Sequence, residues 1–131
     1  MIVVDTSAII AIIQSEPESA TFLDHVRRAD RVVISAVSML EAGMVLRARR
    51  GPAGVLELAD IIEAMAIEVI PFDASMADGA IDAFSRYGKG LHPQARLNLG
   101  DCAAYALAKA MRAPLLFKGN DFGATDIVAA A

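Results

Sequence analysis

Four short runs of apolar, mostly β-branched residues constrain this chain more than anything else in it. They span 2–4, 32–34, 67–72 and 115–117, and 127–128 offers a short fifth. Each is nearly continuous in apolar residues, which is the pattern of a strand buried on both faces. Segments of helical period fill the gaps: 7–14, a helix opening at "SEPES" with Pro17 near its start, 35–50 ending at Gly51-Pro52, 54–66, 73–87 and 99–112. Strands alternating with helices predict an α/β protein, with a mainly parallel sheet of four or five strands covered on both faces.

A chain of 131 residues, 56% of them hydrophobic, is the size of one domain covering 1–131. It is long enough to bury roughly 65–70% of its unfolded surface. Its apolar stretches are shorter and more polar than the ~20 residues that span a bilayer. The first residues lack the basic flank of a signal peptide, and Asp5 interrupts their apolar run. Cys102 is the single cysteine, so no disulfide forms within the chain. Together these features predict a cytoplasmic protein with no membrane association.

In parallel sheets, ligands bind beyond the carboxyl ends of the strands. Asp5 and Asp121 fall at such ends. Asp5 reads equally as the cap of the next helix. Glu41 completes a Ser38-x-x-Glu41 capping box. Ser35 follows its strand directly and is the better cap, which leaves Glu41 inside the helix among apolar neighbours. A glutamate is rare there without a partner. Asp101 reads as a first-turn acid of a helix capped by Asn98, sharing a face with Tyr105. Asp121 and Asp126 lie in "FKGNDFGATD", where Gly119 and Asn120 favour a turn.

Taken together, these are single acids at the ends of apolar elements, able to meet in one cleft. Gathered carboxylates repel and raise one another's pKa unless a hard cation such as Mg²⁺ or Mn²⁺ sits among them. The net charge of −4, from 12 Lys+Arg against 16 Asp+Glu, argues against a simple phosphate-backbone binder. Setting aside Asp5, Glu41, Asp101, Asp121 and Asp126 leaves 12 basic residues against 11 acidic, which readmits RNA. The chemistry such a site supports is metal-assisted phosphodiester hydrolysis. His25 and His92 are far apart without obvious partners, which disfavours a histidine-pair ribonuclease. Cys102 has no ligand-spaced companion for zinc, and no Gly-rich phosphate loop is present.

"VVDTSAI", "SAVSMLEAGMVL", "LNLGDCAAYALAKA" and "LLFKGNDFGATDI" resemble, in order, the four acidic motifs of PIN-domain ribonucleases. More narrowly they resemble the VapC toxins of type II toxin–antitoxin modules, over essentially the whole chain. The resemblance implies a PIN-like three-layer α/β/α sandwich and a Mg²⁺- or Mn²⁺-dependent endoribonuclease. Such a toxin inhibits translation and growth until neutralised. Carried over by motif, Asp5, Glu41, Asp101 and Asp121 form the acidic quartet around the metal, with Asp126 near it. Asp121 and Asp126 both fit the fourth motif. Thr6 or Ser7 then positions the metal or a scissile phosphate. The resemblance also implies a homodimer and a VapB-type antitoxin whose C-terminal segment occupies the active-site groove.

"SRYGKGLHPQARLN" places Arg86, Tyr87, Lys89, His92 and Arg96 just before Asp101. It reads as a solvated loop or as a basic loop that holds an RNA backbone, with Tyr87 or His92 for stacking. Two other functions fit parts of the chain. A phosphoacceptor signalling domain would use Asp73 and Lys118, but it needs an acidic pair after its first strand, and Asp5 is followed by Thr6 and Ser7. A catalytically silent PIN binding module is disfavoured by the full set of acids.

Overall fold

The computed structural model describes residues 1–131. Its elements run β1 (Ile2–Val4), α1 (Thr6–Ile13), α2 (Ser19–Arg28), β2 (Val32–Ser35), α3 (Ala36–Arg50), α4 (Pro52–Ala64), β3 (Glu68–Ile70), α5 (Ala74–Tyr87), α6 (Leu99–Met111) and β4 (Leu115–Leu116). The strands form one sheet in the order β3-β2-β1-β4, with every pair parallel. In place of a fifth strand at 127–128 there is a single parallel bridge between Leu115 and Ala129.

Side chains alternate across a strand, and this sorts the apolar runs into two cores. Ile2, Val4, Val32, Ile34 and Leu116 face one way, packing with Ile9, Phe22, Leu46 and Leu58 of α1 to α4. Val3, Val33 and Leu115 face the other way, against Ala83, Tyr105 and Leu107 of α5 and α6. The result is the expected three-layer α/β/α sandwich. Val3, Val4, Val33 and Ile34 are fully buried. Each such side chain favours the folded state by roughly 1.5–3 kcal/mol over exposure, so β1 and β2 are held at the centre of the sheet.

Local chemistry sets the element ends. The strand expected over 67–72 stops at Ile70, because Pro71 has no N–H for the ladder. Gly51, at φ +68°, ends α3, and Pro52 then takes the first position of α4, two residues earlier than the sequence pattern suggests. Since all strands are parallel, their carboxyl ends share one edge. Asp5 and Lys118 lie on that edge, and the loop from Gly88 to Asn98 delivers the start of α6 to it.

Candidate active site

Asp5 follows β1 directly, and its N–H donates to the Leu116 carbonyl at 2.9 Å. It caps α1: Oδ2 accepts the Ser7 amide at 3.0 Å and the Ser7 hydroxyl at 2.6 Å. The capping role is therefore real, and it leaves Oδ1 for a ligand. Burial pushes the Asp5 pKa up to about 6; the Ser7 hydrogen bonds only partly oppose this, and the charges of Glu41 and Asp121 add to it.

Asp101 is the third residue of α6 and closes a capping box with Asn98. Its amide donates to Asn98 Oδ1 at 2.9 Å, and its Oδ2 accepts the Asn98 amide at 3.1 Å. Again one carboxylate oxygen holds the backbone and the other is spare. Burial pushes the Asp101 pKa up to about 7, against the Asn98 hydrogen bond and with repulsion from Asp5, Asp121 and Glu41.

Ser35, not Ser38, caps α3, accepting the Val37 amide at 3.2 Å. Glu41 consequently lies inside the helix. It is half-buried and lines a shallow groove with Val37, Leu40, Met44, Val45 and Leu99, so apolar neighbours flank it as expected. Its carboxylate rests on the first turn of α6, against Gly100. Asp121 is exposed in the turn after β4, and its charge is felt by both Asp5 and Asp101. Four acids from four separate elements thus lie within reach of one another's charge.

Asp126 lies elsewhere. Its Oδ1 accepts from the Tyr105 hydroxyl at 2.5 Å, and its Oδ2 stands 2.8 Å from Lys109 Nζ and 3.7 Å from Arg86 Nη2. Partial burial acts to raise its pKa, but hydrogen bonds from Lys109 and Tyr105, with the charges of Lys109 and Arg86, hold it below the ordinary carboxylate range. The reason is topological. After β4 the chain must turn back so that Ala129 can pair with Leu115 in parallel, and this carries Asp126 toward Lys109. Lys109 is eight residues beyond Asp101, about 12 Å along the helix.

The two hydroxyls also differ from expectation. Thr6 Oγ1 donates to the Ser38 carbonyl at 3.0 Å, tying α1 to α3. Ser7 Oγ donates to Asp5 and accepts the Lys118 amide at 2.9 Å. Both hold protein groups in place. In the loop before α6, His92 Nδ1 accepts the amides of Gln94 at 3.0 Å and Ala95 at 2.8 Å. That ring organises the loop, lying 5.7 Å from Tyr87, and only Nε2 remains to meet a ligand. Lys89 and Arg96 are exposed on the same loop.

Lys118 was not marked as part of this site by sequence pattern. Its Nζ stands 2.8 Å from Glu16 Oε1 and 3.0 Å from Glu18 Oε2, the second contact an ion pair without hydrogen-bond alignment. Asp73 caps α5 by accepting the Met76 amide at 3.0 Å. The two residues a phosphoacceptor site would need are thus both committed to structural contacts.

No three His, Cys, Asp or Glu side chains converge closely enough to hold a bare ion unaided. The donor chemistry nevertheless fits a hard cation that keeps part of its water shell, as Mg²⁺ does. Every donor is a carboxylate oxygen, and Asp5 and Asp101 each keep one oxygen free of protein hydrogen bonds. Their pKa values are raised first by burial and further by the neighbouring acids, and neither carboxylate has a cationic side chain paired with it.

A parallel three-layer sandwich with an all-carboxylate cup at the carboxyl edge of its sheet is the class that fold and site define. The chain belongs to the PIN domain family, whose family model matches residues 2–128, and within it to the VapC ribonucleases. It is 44% identical over 125 residues to ribonuclease VapC28 of Mycobacterium tuberculosis, covering 95% of this chain and 94% of that one. The fold is similar to that of VapC20 of Mycobacterium tuberculosis, a toxin that cleaves the sarcin–ricin loop. The TM-score is 0.80 at 19% identity, covering 98% of this chain and 97% of that chain. It is also similar to a chain of a toxin–antitoxin complex from Klebsiella pneumoniae, with a TM-score of 0.73 at 16% identity over 100% and 98% of the two chains.

Proposed function

We propose that residues 1–131 act as one PIN domain: a VapC-type toxin that hydrolyses RNA phosphodiester bonds with Mg²⁺ or Mn²⁺ held by Asp5, Glu41, Asp101 and Asp121. The observation that carries this reading is the convergence of acids from β1, α3, α6 and the loop after β4, two of them buried with raised pKa. A bound cation there supplies Lewis acidity, activating water and stabilising the leaving oxygen.

The chain's own part is orientation and charge. Ser7 fixes the Asp5 carboxylate, and the Asn98 capping box fixes that of Asp101, so both present an oxygen without rearrangement. Asp121 is exposed and completes the cup from the solvent side. Lys89 and Arg96, on the loop that leads into α6, hold backbone phosphates, and His92 donates through Nε2. No catalytic step needs a second histidine.

We assign this activity to the cytoplasm and to RNA of the translation apparatus. No helix is long and apolar enough to cross a membrane. The partners we assign are a second copy of the chain and a VapB-type antitoxin. Leu40, Met44, Ile81 and Leu99 support this, being large apolar side chains between 62% and 78% exposed.

The test is cleavage of total bacterial RNA by purified, antitoxin-free protein, with Mn²⁺ or Mg²⁺ and with chelator, beside Asp101→Asn. Discrete fragments that need the metal and vanish in the variant are expected. Intact RNA from a folded, metal-loaded sample would instead make the domain a silent binding module.

A further inference from the structure

Gly100 gives its helix little stability of its own. It is the second residue of α6, buried, and glycine is among the weakest helix formers. The structure gives the reason for its presence. A Cβ at this position would lie 2.5 Å from Glu41 Oε1, 2.8 Å from Glu41 Oε2 and 2.8 Å from Glu41 Cδ. The whole carboxylate of Glu41 therefore lies over the Cα of Gly100, in space that any other residue would fill.

The location has a chemical logic. Amides in the first turn of a helix have no intrahelical acceptor, and the helix dipole places partial positive charge there. Asn98 takes the Asp101 amide, which leaves the Leu99 and Gly100 end of the turn facing the glutamate. A carboxylate seated on that backbone is held beside Asp101, the next residue along, against the repulsion between the two acids. The other glycines inside helices differ. A Cβ on Gly79 meets only Ala106 Cβ at 3.4 Å, one on Gly43 meets Leu58 at 3.6 Å, and Gly54 faces the backbone carbonyl of Leu46. Gly100 alone among them makes room for an acid of the cup.

We infer that Gly100 is a positioning residue: its missing side chain lets Glu41 reach the α6 N-terminus and sets the spacing between Glu41 and Asp101 on which cation binding depends. This rests on the reading of Glu41 as a cation ligand, and the experiment separates the two. Mn²⁺ affinity is measured by titration calorimetry on the intact, antitoxin-free protein for wild type, Gly100→Ala, Glu41→Ala, the double variant and a Gly79→Ala control, each with a thermal melt.

Gly100→Ala should weaken Mn²⁺ binding by about 10–100-fold, the range for residues that orient a metal ligand, without lowering the melting midpoint. Gly79→Ala should bind like wild type. In the Glu41→Ala background, adding Gly100→Ala should change the affinity no further. With RNA, Gly100→Ala should lower kcat and leave KM nearly unchanged. Wild-type Mn²⁺ affinity in Gly100→Ala beside a weakened Glu41→Ala would overturn the inference and spare the site. A double variant weaker than Glu41→Ala would overturn it too. Wild-type affinity in Glu41→Ala would overturn the ligand reading itself. If Gly100→Ala alone does not fold, folding of the double variant shows that the Cβ and Glu41 compete for one space, and its failure to fold refutes that.

Discussion

The Ser7 hydroxyl donates to Asp5 Oδ2 across 2.6 Å and, with its lone pair, takes the Lys118 amide at 2.9 Å. One side chain thereby ties the acid at the end of β1 to the loop that carries Asp121. The relay needs a group that donates and accepts at once.

Ser7→Ala removes both bonds and leaves the Lys118 amide without its acceptor. We expect a loss of about 1–2 kcal/mol in stability and at least a tenfold drop in RNA cleavage, because Asp5 and the Asp121 loop lose their common anchor. Ser7→Thr keeps the hydroxyl and should recover most of both. Urea denaturation and cleavage rates check the pair. A Ser7→Ala protein with wild-type cleavage would make the relay irrelevant to catalysis.

The raised pKa values of Asp5 and Asp101 give stability an inverted pH dependence. A carboxyl whose folded pKa lies above 3.8 binds more protons folded than unfolded. Its stabilisation is full below the unfolded value and is lost as pH rises through the folded one. For the metal-free protein the loss runs from about pH 4 to about pH 7. For Asp5, it is on the order of 3 kcal/mol; Asp101 adds less than its shift suggests, since water screens part of it. Melting midpoints in chelator should therefore be higher at pH 5 than at pH 8, Mn²⁺ should raise them chiefly at pH 8, and Asp5→Asn should flatten the slope. Equal midpoints at both pH values in chelator would contradict the burial of the acids.

Asp121 and Asp126 should separate cleanly. Asp121→Asn is expected to lower cleavage by at least 100-fold with little change in stability, as the residue is exposed. Asp126→Ala should leave Mn²⁺ affinity unchanged and cost about 1–2 kcal/mol, mainly through the Tyr105 hydrogen bond, while its exposed pairs with Lys109 and Arg86 contribute little. Calorimetric titration with Mn²⁺ decides between the two acids.

His92 should support RNA binding through the shape of its loop as well as through Nε2. His92→Ala deprives the Gln94 and Ala95 amides of their acceptor, so KM for RNA should rise several-fold more than kcat falls. His92→Asn, which keeps an acceptor at the end of a short side chain, should restore part of the loss. Steady-state cleavage of an RNA oligonucleotide measures both constants.

Much of this protein follows from local chemistry. Four nearly continuous apolar runs predict strands buried on both faces. This holds for β1, β2 and β4 but not for β3, whose edge position leaves Glu68 exposed and Val69 and Ile70 half-buried. The helices between them force the strands to be parallel. Ser35, Asp73 and Asn98 cap helices because each follows an extended segment and offers an oxygen to the first-turn amides. The order of the acids along the chain follows the same elements. Which acids meet is a different matter, because it depends on strand register and helix packing between residues tens of positions apart. Asp121 and Asp126 stand five residues apart in the same turn-rich segment, yet the pairing of Leu115 with Ala129 sends the second to Lys109. Ser7 looks like a ligand-binding hydroxyl until Lys118, 111 residues away, is brought to it. Gly100 is an oddity of helix composition in sequence; it acquires a purpose only when α3 packs against α6 and lays Glu41 over its Cα.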